Sequence, residues 1–356
     1  MYSVQNRYTD LRQVRYLSPM FRGKKWLKPL GLIYSALLRL RHALYNAGII
    51  KSEIGKLPTI VIGNLALGGT GKTPHAEYIL RQLRQWCKPA LLSRGYGRNT
   101  RGFIWANRVK ASASIIGDEP MQILLKFPDL DVAVCENRLR GVEYLKNLTN
   151  SNVVVLDDAF QHRKLQGDFN ILLTCYSNPY WKDSVLPGGS LRDTKQSARR
   201  ADAIIVTKCP NQLSQEAQDE VVKAIRPGKN QRVFFTRLKY GDAYPLTGKA
   251  AALPLGSKVI GLAGLADDSV FKQYLDSRFQ PVYFESFADH HTFSPKEIEQ
   301  VWSKYGTFAQ AIVTTEKDAV RLRNITVPEG IPIFVIPITV AFLNNESAFV
   351  QLLRST

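Results

Sequence analysis

The chain has 356 residues, 45% hydrophobic, 22% charged and 10% aromatic, which is long enough for two packed cores or one large α/β core and excludes a disordered or collagen-like chain. Cys87, Cys135, Cys175 and Cys209 lie far apart, without a CxxC pair or zinc-finger spacing, which argues against a disulfide framework or structural zinc and for a reducing, cytosolic setting. With 48 basic and 30 acidic residues the net charge is +18, so the expected partners are anionic: a nucleic acid, an anionic membrane surface or a phosphorylated substrate.

The charge is concentrated at one end. Residues 1–56 hold eleven Lys or Arg against Asp10 and Glu53, a net +9. The apolar run from Pro29 to Leu38 is cut by Arg39 and Arg41, well short of the roughly 20 apolar residues a spanning helix needs. No small-residue cleavage site follows it, as a signal peptide would require. On a helical wheel Leu30, Ile33, Leu37, Leu40 and Leu44 share one face and Lys28, Ser35, Arg39 and His42 the other, with Lys24, Lys25 and Trp26 just upstream. Periodicity alone suits either a basic amphipathic helix lying in a lipid headgroup layer or a helix packed on the protein's own core. Residues 1–25 form an extension of little pattern, and 26–50 the amphipathic helix.

From Lys56 onward, short β-branched runs alternate with helix-like segments. Strands are expected at 57–62, 89–93, 131–135, 153–157, 170–174, 202–207, 257–262 and 310–314. Several are continuous apolar runs, the mark of strands buried on both faces, so the fold class is α/β with a mostly parallel sheet covered by helices on both sides. Turn-rich stretches at 95–102 and 186–194 follow strands, where such sheets carry their ligand loops. The expected division is a core at 51–207, a connection into a second, smaller α/β lobe at 208–256, and a C-terminal part at 257–356.

The strongest local signal is the stretch from Gly63 to Pro74, GNLALGGTGKTP, directly after the run TIVI and before a helix-like segment. A glycine-rich turn offers backbone N–H groups to a triphosphate with no Cβ in the way. Ala66, Leu67, Gly68, Gly69, Thr70, Gly71, Lys72 and Thr73 are thus the candidate ATP-binding residues: Lys72 for the β- and γ-phosphates, and the Thr73 hydroxyl for magnesium. The usual GxxxxGK[ST] spacing would put a glycine at Ala66, and the doubled Gly68-Gly69 is the available compensation. The second signal is Val153-Val154-Val155-Leu156-Asp157-Asp158, an apolar strand ending in two carboxylates, the arrangement that holds magnesium opposite the loop in phosphate-loop nucleotidases. Together the two imply a P-loop NTPase-type core that uses ATP and Mg2+.

Six further segments follow in order: SRGYGR at 93–98, GDEP at 117–120, LDDAFQH at 156–162, LPGGSLRD at 186–193, FADHH at 287–291 and TEKDAV at 315–320. Taken together they closely resemble the tetraacyldisaccharide 4′-kinase (lipid A 4′-kinase) family, from about Trp26 to the C-terminal region, with WLKPLGLIYSALLRLRHALYNAGI resembling that family's membrane-associating helix. The resemblance implies phosphoryl transfer from ATP to the 4′-hydroxyl of tetraacyldisaccharide 1-phosphate, giving lipid IVA, by a peripheral protein at the cytoplasmic face of the bacterial inner membrane. It implies Asp118 as the catalytic aspartate and His290 as its partner. The assignment made here is Asp118 as base, with His290 orienting it or tuning its pKa, although Asp118 before Pro120 also reads as a helix N-cap. Glu119, Asp157 and Asp158 join Thr73 as magnesium candidates. Arg94, Arg98 and Arg138 are candidates for anionic substrate groups, each equally readable as an ion pair. Gln161 and His162 follow the acidic pair, within reach of the acceptor sugar, and Lys317 and Asp318 fall at the sheet's ligand edge or at a helix start.

Competing classes have discriminators. A membrane-cycling ATPase of the partitioning type carries a lysine before the paired glycines, where this chain has Leu67. A GTPase would need a base-reading aspartate that Thr207-Lys208-Cys209-Pro210 lacks. No nucleic-acid module accompanies the basic excess, which sits on the amphipathic helix.

Overall fold

The computed structural model describes residues 28–247 and 252–355, so the extension at 1–25 and Trp26 lie outside the described residues. The first part of the chain contains α1 (Lys28–Asn46), β1 (Glu53–Ile54), β2 (Thr59–Asn64), α2 (Lys72–Leu83), β3 (Pro89–Ser93), β4 (Ile104–Trp105), α3 (Ala113–Ile116), α4 (Asp118–Lys126), β5 (Asp131–Val134), α5 (Arg138–Leu148) and β6 (Val153–Leu156). There follow β7 (Leu165–Gln166), β8 (Phe169–Cys175), β9 (Ala203–Thr207), α6 (Gln215–Ile225) and β10 (Arg232–Tyr240). The remainder comprises β11 (Tyr244–Pro245), β12 (Lys258–Ala263), α7 (Ser269–Arg278), β13 (Gln280–Ser286), α8 (Pro295–Tyr305), β14 (Ala311–Thr315), α9 (Glu316–Leu322), β15 (Ile333–Ile336), β16 (Ile338–Phe342) and α10 (Glu346–Arg354). Every strand expected from the sequence is present, displaced by about two residues at most.

The large sheet has nine strands in the order β16-β10-β9-β8-β2-β6-β3-β5-β4. Its interior strands run parallel, and the edge strands β4 and β16 antiparallel. The runs in β2, β3, β6 and β9 are buried at every position, as helices on both faces require. From β2 the chain passes over β6 to β3 and later comes back on the other side as β8. That reversal opens a crevice at the C-terminal ends of the strands, the place where such sheets take ligands.

The second sheet, β11-β15-β14-β12-β13, carries its own apolar layers, one around Ile260, Ile298 and Val335 and one around Val259, Phe271 and Phe334. Here the division differs from the one expected. β10 pairs with β9 of the large sheet, and after the small sheet the chain returns as β16 against β10, with Phe349 and Leu353 of α10 in the large core. The small lobe is therefore an insertion of residues 244–336, and neither 208–256 nor 257–356 is a unit. β10 escaped notice because Arg232, Arg237 and Lys239 break its apolar run, as suits a strand near a sheet edge.

α1 docks by its polar side. His42 Nε2 lies 2.6 Å from Asp193 Oδ1. Arg163 donates to the His42 carbonyl (3.1 Å) and to Asn46 Oδ1 (2.9 Å), with its guanidinium over the Tyr45 ring. Leu30, Ile33, Leu37 and Leu40 are between 53% and 61% exposed. The apolar face thus does not cover the protein's own core, and Leu44, expected on it, is only half-exposed. Among the described residues no helix is long and apolar enough to cross a membrane.

Candidate active site

The loop at 65–71 joins β2 to α2 and lies in the crevice. Gly68 (φ 109°) and Gly71 (φ 83°) take the left-handed backbone that the turn requires and that a side chain would resist. Ala66 needs no glycine: it is extended, bridged to Leu191, and Leu67 N–H donates to the Ser190 carbonyl at 2.8 Å. The loop is fixed from below. Asn64 Nδ2 donates to Thr70 Oγ1 (2.9 Å) and Thr207 Oγ1 to the Thr70 carbonyl (2.8 Å). Beneath the first turn of α2, His75 bridges the Gly71 carbonyl and Thr236, and burial lowers its pKa to about 4, so it is neutral. Lys72 and Thr73 open α2, with Lys72 Nζ 3.9 Å from Asp158 Oδ1.

Asp157 and Asp158 end β6 in unlike surroundings. Arg192 forks across Asp158, reaching Oδ2 at 3.0 Å, and also donates to Asn64 Oδ1 at 2.6 Å. Burial alone would raise Asp158, yet the Arg192 hydrogen bond and the Lys72 charge hold it below the usual carboxylate range. Asp157 is buried, its Oδ1 has no hydrogen-bond partner, and burial followed by the charges of Glu119 and Asp158 pushes it up to about 7. Asp157 thus feels the charges of Glu119 and Asp158 against those of Lys72 and Arg138.

Asp118 is the first residue of α4, after Gly117, so it is not the N-cap. Its carboxylate instead meets the small lobe: His290 Nδ1 stands 2.9 Å from Oδ2, and Arg321 Nε donates to Oδ1 at 3.1 Å while its Nη2 reaches Oδ2. Burial acts to raise Asp118, but these partners draw it down to about 2. His290 itself has a positive φ of 64°, a backbone state uncommon for non-glycine residues and concentrated at functional sites. Lys317 pairs with Asp289 beside His290, whereas Asp318 is internal, accepting from Thr315 Oγ1 (2.7 Å) and the Gly264 N–H (3.1 Å) at the start of α9. The two lobes are tied again at the far end of α4, where Lys126 bonds Glu77 of α2 and Glu316 of α9.

The candidate substrate residues separate. Arg138 is buried, donating to the Cys135 and Glu136 carbonyls (3.0 and 3.1 Å), with Nε unpartnered and the charges of Asp157, Arg94 and Asp158 acting on it. Arg94 is exposed beside it. Arg98 is instead committed to Glu136 and the Gly102 carbonyl, the ion-pair alternative. Gln161 Nε2 donates to the Asn64 carbonyl at 2.8 Å, and His162 turns an unpartnered Nε2 into the interior, its pKa lowered to about 4 by burial and by Arg138.

Sequence reasoning missed Arg192, Asn64, Arg321 and Lys208. The first lies within LPGGSLRD and could have been found there. Lys208, just past β9 at the sheet's ligand edge, stands against the loop: a Cβ on Gly69 would be 3.9 Å from its Nζ. Arg321 carried no signal, being one of several basic residues after TEKDAV.

Known proteins are similar to this chain over nearly its whole length. The family model described as tetraacyldisaccharide-1-P 4′-kinase matches residues 23–356. A tetraacyldisaccharide 4′-kinase of Flavobacterium psychrophilum is 41% identical over 332 residues, covering 92% of this chain and 94% of that one. One of Bacteroides fragilis is 37% identical over 338 residues, with 90% of each chain covered. A crystal structure of LpxK from Aquifex aeolicus in complex with ATP superposes with a TM-score of 0.73 at 27% identity, over 93% of this chain and 98% of that one. With a phosphate loop, an acidic strand end and a bridged Asp-His pair in one crevice, and with matches running nearly end to end, the chain belongs to the tetraacyldisaccharide-1-P 4′-kinase family.

Proposed function

We propose that the chain carries out its family's reaction as an ATP-dependent kinase acting on the 4′-hydroxyl of tetraacyldisaccharide 1-phosphate, the step that yields lipid IVA in lipid A biosynthesis. The observation that carries the assignment of roles is the meeting of Asp118, on α4 packed against α2, with His290 and Arg321 from the inserted lobe. The loop from Ala66 to Thr73 cradles the ATP phosphates through backbone N–H groups, and Lys72 answers their charge.

A divalent cation fits beside Asp157, whose buried Oδ1 has no hydrogen-bond partner and which the charges of Glu119 and Asp158 push toward the protonated form. Asp157, Asp158, Glu119 and the Thr73 hydroxyl would hold Mg2+, which supplies neutralisation of phosphate charge when bound. Arg192 fixes the Asp158 carboxylate for that task. Asp118 hydrogen-bonds the acceptor hydroxyl. As the 4′-oxygen bonds to the γ-phosphorus, the bond from that phosphorus to the β–γ bridging oxygen breaks, ADP keeps the electron pair, and the hydroxyl proton passes to Asp118. A carboxylate near 2 is a weak base toward a resting hydroxyl, but in a loose transition state the proton is released only as the new P–O bond forms, so aim matters more than basicity. His290 and Arg321 supply that aim. Arg138 and Arg94 offer guanidinium groups to phosphate oxygens, and Gln161 and His162 to the sugar.

The exposed apolar face of α1, next to a terminal segment of net charge +9, supports peripheral attachment to the anionic cytoplasmic surface of the inner membrane. A mass-spectrometric phosphotransfer assay with detergent, ATP, Mg2+ and tetraacyldisaccharide 1-phosphate tests the reading. A product heavier by one phosphate, with kcat lowered at least about 100-fold in Asp118→Ala while ATP still binds, is the expected result. ATP hydrolysis with no lipid product would instead indicate the membrane-cycling ATPase.

A further inference from the structure

The phosphate loop is held from below at two successive carbonyls, and one of the holding groups is a buried histidine that no step of the reaction touches. Thr207 Oγ1, at the end of β9, donates to the Thr70 carbonyl at 2.8 Å, and His75 Nδ1 donates to the Gly71 carbonyl at 2.7 Å. We propose that His75, braced by Thr236 of β10, is a positioning residue that aims the backbone N–H groups at the end of the phosphate loop toward the nucleotide and so sets the affinity for ATP. The proposal rests on the ATP-kinase reading above and adds to it the side chain that keeps the cradle in shape.

Three observations carry it. First, the hydrogen-bond partners fix the ring. A carbonyl oxygen can only accept, so Nδ1 carries the proton, and the neutral imidazole presents a bare Nε2 that accepts from the Thr236 hydroxyl at 3.0 Å. Rotating the ring by half a turn would set carbon atoms against both oxygens. His75 is 1% exposed and Thr236 0%, so water cannot stand in for either partner. Packing alone would be met by an apolar side chain, with no buried nitrogen to satisfy.

Second, the two carbonyls being held are the ones that decide where the next N–H groups point. In a trans peptide the C=O and the following N–H face opposite ways. Holding the Thr70 carbonyl toward β9 turns the Gly71 N–H away from β9, and holding the Gly71 carbonyl toward His75 turns the Lys72 N–H out of the start of α2. Gly71, at φ 83° and without a Cβ, does little to fix that peptide by itself, and the helix adds only the longer 3.2 Å bond from the His75 N–H. Third, the brace belongs to the sheet. Thr236 lies opposite Phe342 in the β10–β16 pair, and its carbonyl receives the Cys209 N–H at 3.0 Å. His75 thereby registers the loop against strands β9, β10 and β16 and not against its own helix alone.

The test takes the ring's two nitrogens apart. In a histidine position Asn places its amide where Nδ1 stands, and Gln places its amide where Nε2 stands. The Kd for ATP with Mg2+ is measured by isothermal titration calorimetry, and the KM for ATP and for the lipid by the phosphotransfer assay, in the wild type, His75→Gln, His75→Asn and Thr236→Val. The expected result is a Kd and KM for ATP raised about 10-fold in His75→Gln and about 5-fold in Thr236→Val, but within about 2-fold of wild type in His75→Asn, with kcat and the lipid KM changed less than about 3-fold throughout. An ATP affinity unchanged in His75→Gln or in Thr236→Val overturns the proposal. So does an affinity that falls equally in His75→Gln and His75→Asn, in step with the thermal midpoint, which would make the histidine a packing residue only. A wild type that binds ATP but phosphorylates no lipid overturns the kinase reading instead, and the calorimetric series still decides the role of His75.

Discussion

The sharpest energetic test concerns Lys126, which lies outside the reaction centre but joins the three helices that serve it. Its ammonium bonds Glu77 Oε2 at 2.6 Å and Glu316 at 2.8 and 3.1 Å, and the two carboxylate side chains are 4% and 8% exposed. Lys126→Met keeps most of the volume and removes the only cation that, among the described residues, pairs with these two nearly buried carboxylates, a loss on the order of 3–5 kcal/mol for a buried charge left unpaired. The sign with pH follows from Glu77, which burial raises from 4.5 to about 7 even though Lys126 lowers it. Because the folded value lies above the unfolded one, ionised Glu77 works against folding: that penalty is absent below about pH 4.5 and complete above about pH 7. Without Lys126 the Glu77 pKa rises further, so between pH 7 and 8 the folded variant holds a proton that the wild type has lost. Its deficit therefore shrinks by about 1.4 kcal/mol for each pH unit of descent through that interval. Urea unfolding at pH 8 and pH 6.5 measures both quantities. A deficit below about 1 kcal/mol, or one that does not change with pH, would refute the picture of a buried triad with a single cation.

Other consequences are read more directly. Lys72→Ala abolishes ATP-dependent lipid phosphorylation while leaving the thermal midpoint within about 3 °C, since Lys72 makes only a long 3.9 Å contact with Asp158; an intact turnover number would remove it from the phosphate site. Leu37→Glu with Leu40→Glu, on residues 60% and 58% exposed, lowers binding to vesicles containing anionic phospholipid about 10-fold or more without changing the melting temperature. Unchanged vesicle sedimentation would exclude α1 as the membrane contact.

Much of the large sheet was legible because its strands are buried on both faces, so apolar runs such as Val153–Leu156 stand out against any neighbour. β15 was missed although Ile333–Ile336 is a run buried at every position, whereas other strands escaped because their pattern is set by partners. β10 carries Arg232, Arg237 and Lys239 on a strand that only β9 and β16 complete, and β13 is half-buried along most of its length. The inserted position of the small lobe was hidden for the same reason, since nothing in 338–355 says that it pairs with a strand a hundred residues earlier. In the candidate site, the loop and the acidic strand end declared themselves through local chemistry. Arg321 did not, because its contact with Asp118 exists only once α9 lies against α4, and Arg98 stayed open between two readings because a guanidinium in a glycine-rich loop looks the same whether it awaits a ligand or grips Glu136.

The helix that exposes its leucines is fastened to the same network that orients the acidic pair. His42 of α1 contacts Asp193, which also accepts from Ser197 at 2.9 Å and pairs with Arg200, and the residue before it, Arg192, grips Asp158 and Asn64. Asp193 is 1% exposed, so its charge has to be met by these partners, and despite burial the His42 contact helps hold it below the usual carboxylate range. An amphipathic helix in a water-soluble protein normally docks by its apolar face. Here the docking energy comes from hydrogen bonds and charge at His42, Tyr45 and Asn46, which leaves the leucines for another medium. The helix with the outward apolar face and the phosphate loop are consequently joined by one run of contacts, from His42 to Asp193 and from its neighbour Arg192 through Asn64 to Thr70.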